Sequence, residues 1–260
     1  MNEWRGRALG SRTVSCDETR PILYALAIGA DASDLDLVFE DRLRVLPTFA
    51  LTLAQWAPDA LGSAGAFDAR TAVHGSQRLR VLEPLPRSGS VEMTAYVSEV
   101  WDKGSAAVFD VTVESRYFEA TWSLFAPGCG GFGGERGPSA RRRPETEPDA
   151  TPLTVTTDPN QAALYRLLGD RHHLHIDPDA AKAAGMPRPI MHGLCTLAAT
   201  TLPLARSLGA HPADLTELEG RFAAPVFPGD VLQMTTWNTT HFEAAVEGRT
   251  VISSAKAHFA

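Results

Sequence analysis

Hydrophobic positions follow a helical period in four stretches of the chain, and strand-like segments follow them. Helical spacing occurs at 20–28 and at 158–169, and each of these patterns precedes a longer apolar run, at 47–56 and at 193–208. The segments with strand composition lie at 77–82, 91–100, 106–115 and 116–125 in the first half and at 219–225, 231–237, 242–247 and 250–259 in the second. Helices followed by several antiparallel strands, twice in one chain, predict an α+β fold.

Two helix starts in the second half are marked in detail. Asp158 and Pro159, with Gln161 two positions on, approximate a capping box in which the glutamine side chain reaches back to the helix start. Asp177-Pro178 repeats the start signal for a short helix. The apolar side chains of the first of these helices predict a buried stripe made of Ala163, Leu164, Leu167 and Leu168.

The two halves resemble divergent copies of one another. The run 51–54 (Leu-Thr-Leu-Ala) matches 195–198 (Cys-Thr-Leu-Ala), in a helix that precedes the strands in both halves. The same nine-residue spacing separates Pro84 from Met93 and Pro225 from Met234. The first half has no histidine between Tyr24 and Phe49, and Phe49 occupies the position of Gly193. An internal duplication is predicted, with one chemical half and one structural or substrate-binding half.

The predicted division is a first domain at 1–126, a linker at 127–152 and a second domain at 153–260. The linker is rich in glycine, proline and charge, and it lacks a periodic apolar pattern. We interpret its three consecutive arginines at 141–143 as solvated chain rather than as a phosphate site.

Composition narrows the function classes. The chain has 260 residues, of which 44% are hydrophobic and 21% charged, as in ordinary globular proteins. Its net charge of −7 argues against nucleic acid or an anionic membrane as a partner, and no run reaches the length of a membrane span. The three cysteines are widely spaced, and the N-terminus has no apolar secretion segment. We therefore expect free thiols and a cytoplasmic location.

The candidate chemistry lies in two neighbouring segments of the second half. Asp170 and His175 are five residues apart, which on a straight helix would leave them about 140° apart around the axis. Gly169 supplies a helix break that lets the two side chains converge. Gly193 opens an apolar helix, where its N–H has no intrahelical acceptor. An acid/base pair beside such a donor suits chemistry next to a carbonyl group.

A metal site is an alternative interpretation of the same histidines. The ligand types available there are His172, His173, His175, Asp170 and Asp177. However, adjacent residues in extended chain point apart, and no Cys-x-x-Cys or His-Glu-x-x-His frame is present. A Gly-x-Gly-x-x-Gly loop, a phosphate-cradling loop and a Gly-x-Ser-x-Gly elbow are missing as well. We expect neither a metal nor a cofactor.

Several motifs, in order along the chain, resemble one known family. Residues 168–175, Leu-Gly-Asp-Arg-His-His-Leu-His, are similar to a family Ser-Gly-Asp-x-Asn-Pro-Leu-His motif. Residues 189–196, Pro-Ile-Met-His-Gly-Leu-Cys-Thr, are similar to its Pro-Ile-x-His-Gly-Leu-Cys-Thr motif. Further family-like segments lie at 46–49, 102–105, 130–134, 160–167, 221–222 and 225–229. The sequence thus resembles the (R)-specific enoyl-CoA hydratases of the hydratase 2 type, the MaoC-like double hot-dog proteins.

The resemblance implies a fold and a reaction. The fold would be a double hot-dog, two helix-wrapped antiparallel sheets forming one continuous sheet. The reaction would be reversible addition of water to a trans-2-enoyl-CoA, giving the (3R)-3-hydroxyacyl-CoA. By the same resemblance, Asp170 and His175 hold and activate the water, and the N–H of Gly193 binds the thioester oxygen. The first half would supply the acyl-chain pocket.

The loop around the dyad departs from the family motif. The family's Asn, which helps to order the site, is His172 here, and the following Pro is His173. His172 can still donate a hydrogen bond, but it is larger and titratable. The expectation is an active enzyme with an altered site. The alternatives are a catalytically weak acyl-thioester binding or scaffolding subunit, a dehydratase of specialised, polyketide-like metabolism, and a metal-dependent hydrolase.

Substrate contacts are predicted mainly from charge and from proximity to the motifs. The candidates for the CoA phosphates are Arg188, Lys182 and Arg78, and the other candidate binding residues are His192 and Phe49. The thioester carrier is expected to be CoA or a protein-bound pantetheine. For quaternary structure, a homodimer and a single chain acting as a pseudo-dimer are both open.

Overall fold

The computed structural model describes residues 1–139, 144–149 and 151–260. The arginines at 141–143, which the sequence assigns to solvated linker, lie outside the described residues. The α-helices are α1 (Thr19–Ala27), α2 (Leu35–Val38), α3 (Ala50–Ala54), α4 (Trp56–Ser63), α5 (Gln161–Tyr165), α6 (Pro178–Ala183) and α7 (Gly193–Ser207). The 3-10 turns are Asn2–Trp4, Pro47–Phe49, Arg166–Leu168, His173–His175 and Pro212–Asp214.

The strands of the described residues form one antiparallel sheet of ten strands, in the order β1-β3-β4-β5-β2-β7-β10-β9-β8-β6. Their bounds are β1 (Ala8–Cys16), β2 (Val73–Val81), β3 (Gly89–Asp102), β4 (Ala106–Ser115), β5 (Phe118–Pro127), β6 (Leu153–Thr156), β7 (Leu215–Phe222), β8 (Val231–Trp237), β9 (His241–Val246) and β10 (Arg249–Phe259). Counted outward from the centre of the sheet, the strands of the first half come in the order β2, β5, β4, β3, β1. Those of the second half come in the equivalent order β7, β10, β9, β8, β6, so the second half repeats the first about a pseudo-two-fold axis. This is the continuous double sheet that the resemblance implies.

The seam between the halves is the antiparallel pair β2–β7. Arg78 lies opposite Glu219, and Leu79 lies opposite Leu218. Arg78 and Glu219 are 141 positions apart in the sequence, and so are Tyr24 and Tyr165. The two tyrosines are buried, and their ring centroids lie 6.0 Å apart. The strand order that repeats on the two sides of the seam is the order that the predicted duplication requires.

The sheet wraps around the helices of both halves, and α7 contributes more buried residues than any other described helix. Eleven of its residues are buried, among them the predicted inward positions Leu194, Leu197, Ala198, Thr201 and Leu204. Gly220 of β7 packs directly on this helix, because a Cβ there would lie 2.7 Å from a methyl carbon of Leu197.

Most predicted elements are confirmed, with ends that shift by a few residues. The predicted strand at 219–225 is the least accurate, since β7 runs from Leu215 to Phe222. Two strands, β1 and β6, were not predicted. Both are edge strands. Most side chains of β1 are exposed, so it lacks the apolar alternation that marks a strand. Strand β6 has only four residues, which is too short for its alternation to stand out.

The buried stripe predicted for the helix after Asp158 is partly wrong. The capping box forms, because Oε1 of Gln161 accepts a hydrogen bond from the N–H of Asp158 at 3.0 Å, although the α-helix itself begins only at Gln161. However, Leu164 and Leu167 are exposed. Tyr165 is buried instead, since it packs against Tyr24 of the first half, and this contact turns the two leucines outward.

The glycine run 128–134 is held by one carboxylate. Asp102 accepts hydrogen bonds from the N–H groups of Gly104, Gly131 and Gly133, at 2.8, 2.9 and 2.8 Å. These bonds favour the ionised carboxylate and lower the pKa of Asp102 to about 2. The run therefore fixes the chain to the end of β3, and N–H groups that a nucleotide loop would offer to phosphate are already used here.

Among the helices of the described residues, none is long and apolar enough to cross a membrane.

Candidate active site

Asp170 and His175 lie in a short loop that begins where the α5 segment ends. The 3-10 turn Arg166–Leu168 stops at Gly169, and the next residue is Asp170. Its Oδ1 accepts a hydrogen bond from the backbone N–H of His172 at 3.1 Å, which closes a tight turn. Nδ1 of His172 in turn accepts from the N–H of Leu174 at 3.2 Å and caps the 3-10 turn His173–His175. His172 thus stabilises the loop with its acceptor nitrogen.

His175 faces Asp170 with its reactive nitrogen free for proton transfer. Its Nδ1–H donates to the carbonyl of Ile190 at 2.9 Å, which fixes the tautomer and leaves Nε2 as an acceptor. Burial lowers the pKa of His175, so the ring is neutral at neutral pH. Side-chain atoms of Asp170, His175 and His192 all lie within 4.8 Å of one another. The predicted convergence of carboxylate and imidazole is confirmed.

His192 supports both members of the pair. Its ring stacks on His175 with centroids 3.6 Å apart and an angle of 25°. Its Nε2–H donates to the backbone carbonyl of Asp170 at 3.1 Å, and Tyr165 packs on its other side at 4.8 Å. Burial, followed by the charge of His175, lowers the pKa of His192 to about 3, so it remains neutral. These contacts hold the loop in place, and the substrate-binding role assigned to His192 from sequence stays a prediction.

Gly193 begins α7 beside this cluster. Its N–H donates no hydrogen bond to any described residue, as expected for the first residue of a helix. A Cβ at this position would lie 3.0 Å from a ring carbon of Phe222. The Phe222 ring would have to shift by a few tenths of an ångström to accept any larger residue at this position. A bare N–H directed at a growing negative charge is a suitable oxyanion donor.

The cluster is suited to proton transfer more than to metal binding. Asp170, His175 and His192 offer ligand atoms of the right types at short range. The two imidazoles are stacked face to face, however, so their lone pairs run side by side and do not converge on one point. One nitrogen of each ring is also directed at a backbone carbonyl.

The other predicted binding residues are spread over the molecule. Arg188 donates to the carbonyl of Pro228 and stacks over Phe227, and Lys182 is exposed on α6. Arg78 is exposed on the outer face of the sheet, between the inward residues Gln77 and Leu79. Phe49 is fully buried, with its ring 5.4 Å from that of Tyr24. The structure does not gather these side chains around the dyad, and their contacts with substrate stay predictions.

Two first-half residues near the dyad were missed by the sequence analysis. Burial lowers the pKa of His74 to about 4, and the charge of Asp170 opposes that shift. Partial burial and the charge of Asp170 raise the pKa of Asp59 on α4. A glycine inside a strand pattern, Gly75, marks a bulge and could have drawn attention to His74, whereas nothing in the sequence singles out Asp59.

Each half of the chain matches the model of a known protein family. Residues 15–126 match the model of the MFE-2 hydratase 2 N-terminal domain, and residues 139–257 match that of the MaoC like domain. A 3-hydroxyacyl-thioester dehydratase from Mycobacterium tuberculosis is 37% identical over 84% of this chain and 80% of its own length. The mouse peroxisomal multifunctional enzyme type 2 is 38% identical over 96% of this chain. The chain spans only 37% of that longer enzyme.

Solved structures agree with the fold. A MaoC-like dehydratase from Phytophthora capsici superposes with a TM-score of 0.85 and 25% identity, covering 99% of this chain and 96% of that one. A Mycobacterium tuberculosis protein described as a double hotdog fold superposes with a TM-score of 0.62 and 14% identity, covering 98% and 96%.

The fold is a double hot-dog, and curated relatives of the chain are named as a 3-hydroxyacyl-thioester dehydratase and an enoyl-CoA hydratase 2, which are hydro-lyases. The chain belongs to the MaoC-like dehydratases, with a hydratase 2 N-terminal domain in its first half.

Proposed function

We propose that this enzyme adds water reversibly to the double bond of a trans-2-enoyl-CoA and forms the (3R)-3-hydroxyacyl-CoA. The thioester is the substrate, and the proposal includes no metal and no cofactor. The observation that carries it is the meeting of Asp170 and His175 beside the bare N–H of Gly193.

In the proposed reaction, Asp170 and Nε2 of His175 hold one water molecule between them. The water oxygen attacks C3 of the enoyl group, and the proton it loses passes to the pair. Electron density moves to the thioester oxygen, where the N–H of Gly193 stabilises the enolate. The pair then returns a proton to C2. Dehydration follows the same steps in reverse, with the same groups.

The test is hydration of crotonyl-CoA and longer enoyl-CoAs, followed as loss of the enoyl thioester absorbance. We expect turnover by the wild-type enzyme and a fall in kcat of about 10²- to 10⁴-fold in Asp170→Asn, because the acid/base step is lost. Asp31→Asn, in an exposed loop of the first half, is the matched control and should keep the wild-type rate. Equal rates for wild type and Asp170→Asn on every chain length would refute the role of the dyad.

The alternatives give different outcomes in the same assay. A binding or scaffolding subunit, suggested by His172 at the position of the family's Asn, would bind acyl-CoA without turnover and tolerate His175→Ala. A metal-dependent hydrolase would lose activity on chelation and contain a stoichiometric metal after purification. A dehydratase of specialised metabolism would prefer a carrier-bound substrate over the free CoA thioester.

The finer assignments belong to the same proposal. The acyl chain lies in the first half, with Phe49 near it, and Arg188, Lys182 and Arg78 remain the candidate phosphate contacts. We place the enzyme in the cytoplasm, in fatty acid metabolism such as β-oxidation, whereas five of the relatives are named as peroxisomal. Pairing of two chains into a homodimer is testable by light scattering.

A further inference from the structure

His74 is a half-buried histidine of the first half that the proposed reaction does not use. It lies on β2, one residue before a bulge at Gly75. Because of the bulge, His74 pairs with Leu124 while Gln77 pairs with Trp122, and Leu124 and Trp122 lie on the same face of β5. His74 therefore faces inward beside Gln77; in a regular strand it would face outward.

The ring of His74 is fixed in two ways. Nε2–H donates to the carbonyl of Ser76 at 3.0 Å. The ring also meets Phe222 edge to face, with centroids 4.8 Å apart and an angle of 65°. Edge-to-face pairs at this distance are attractive because of the ring quadrupoles. Phe222 comes from the second half, so this contact crosses the seam.

Phe222 in turn lies against the start of α7. Its ring carbons would be 3.0 to 3.3 Å from a Cβ at Gly193, so the ring lies tightly against the backbone of this residue. Any rotation or withdrawal of this ring changes the surface on which Gly193 rests. The orientation of the Gly193 N–H thus depends on a ring that His74 holds.

We propose that His74 is a positioning residue for the oxyanion donor, which it orients through Phe222, so that the first half takes part in catalysis without touching the reacting atoms. This rests on the proposed function of Gly193 as the donor to the thioester oxygen. A donor to the enolate stabilises the transition state more than the bound substrate. Loss of the brace should therefore lower kcat and leave KM nearly unchanged.

The kinetic test compares His74→Leu, His74→Phe and Phe222→Leu on crotonyl-CoA. We expect kcat to fall 10- to 50-fold in His74→Leu and in Phe222→Leu, with KM within twofold of wild type. His74→Phe keeps an aromatic edge against Phe222 and should recover kcat to within threefold. The double variant His74→Leu/Phe222→Leu should be no slower than Phe222→Leu alone, because both changes remove one brace. His258→Leu, on β10 beside Glu217, is the control and should keep the wild-type kcat.

A second readout does not depend on turnover. The ¹⁵N and ¹H shifts of the Gly193 amide should move in His74→Leu and return towards wild type in His74→Phe. An unchanged kcat and amide shift in a folded His74→Leu variant would overturn the proposal. So would a loss of activity in His74→Phe with a displaced pH profile, because that would show proton transfer by His74 itself. If wild type fails to hydrate any enoyl-CoA while the amide shifts follow the expected order, the brace stands and the proposed function fails.

Discussion

The two halves of this enzyme have the same strand order and differ at the start of the central helix. In the second half, α7 is a 15-residue helix that begins with a bare N–H at Gly193 beside the histidine pair. In the first half the corresponding segment is divided into α3 and α4, of five and eight residues. Phe49 lies there at the equivalent position, with its ring buried against Tyr24. The sheet preserves the symmetry, and the candidate acid/base pair lies in the second copy.

The difference shows how a duplicated site becomes specialised. In the first half, the N–H of Phe49 already donates to the carbonyl of Leu46 at 3.0 Å, so it is not free for a substrate oxygen. The tyrosine packing is retained on both sides, as Tyr24 packs on Phe49 and Tyr165 on His192. The neighbour of the tyrosine differs between the halves. In the first half it is a phenylalanine ring, which cannot ionise, and in the second half it is an imidazole that supports the dyad.

The largest effect on kcat should come from adding a Cβ atom at Gly193, since the equivalent residue of the first half, Phe49, has a side chain. Gly193→Ala places a Cβ 3.0 Å from the Phe222 ring and displaces the N–H. We expect kcat to fall about 10²- to 10³-fold, as when an oxyanion donor is lost. Steady-state kinetics with enoyl-CoA, together with a thermal melt to confirm folding, measure it. The first-half control Ala50→Gly should cost at most about 1 kcal/mol of stability and leave kcat unchanged.

Shortening a buried side chain on either side of the β2–β7 seam should lower the stability of the protein by a similar amount. Leu79 and Leu218 are fully buried and lie opposite one another in β2 and β7. Leu79→Ala and Leu218→Ala should each lower the free energy of unfolding by about 2–5 kcal/mol, measured in urea. A loss restricted to one of the two would show that the halves are not equivalent in packing.

Acid should weaken both halves through buried neutral histidines. The pKa of His74 is about 4 in the folded chain against an ordinary 6.5, so the unfolded chain binds the proton more tightly. Stability is therefore lost as pH falls below about 6.5, and the loss from His74 levels off near pH 4. In His74→Phe, the fall in unfolding free energy from pH 7 to pH 5 should be smaller by roughly 2 kcal/mol. The exposed His173→Phe is the control, and an equal fall in both variants would contradict the assignment.

The smallest effect should come from the charged pairs that join the halves at the surface. Arg206 donates to Asp34 at 2.6 Å, and Arg44 pairs with Asp214. Asp34→Asn should cost about 0.2–1 kcal/mol in low salt and less in 1 M salt, because both side chains are partly exposed and screened. A larger cost that does not change with salt would contradict this expectation, because it would show that the loss does not come from a screened surface ion pair.

The duplication, most strands and the dyad could be predicted from the sequence because each leaves a local pattern. Gly169 and Gly193 mark a helix end and a helix start, and the spacing of Asp170 and His175 requires a break between them. The buried face of α5 could not be predicted, because Leu164 and Leu167 look like core residues until Tyr24 is known to pack on Tyr165. His74 could not be connected to Gly193 either, since the two meet only through the pairing of β2 with β7.

The β2–β7 seam also decides what happens if the polypeptide is cut between its halves. Each separated fragment would present an open strand edge with unpaired N–H and C=O groups, next to an exposed Leu79 or Leu218. Each fragment produced alone should self-associate through its open edge. Fragments that are co-expressed should instead associate with one another and form an active enzyme from two polypeptides.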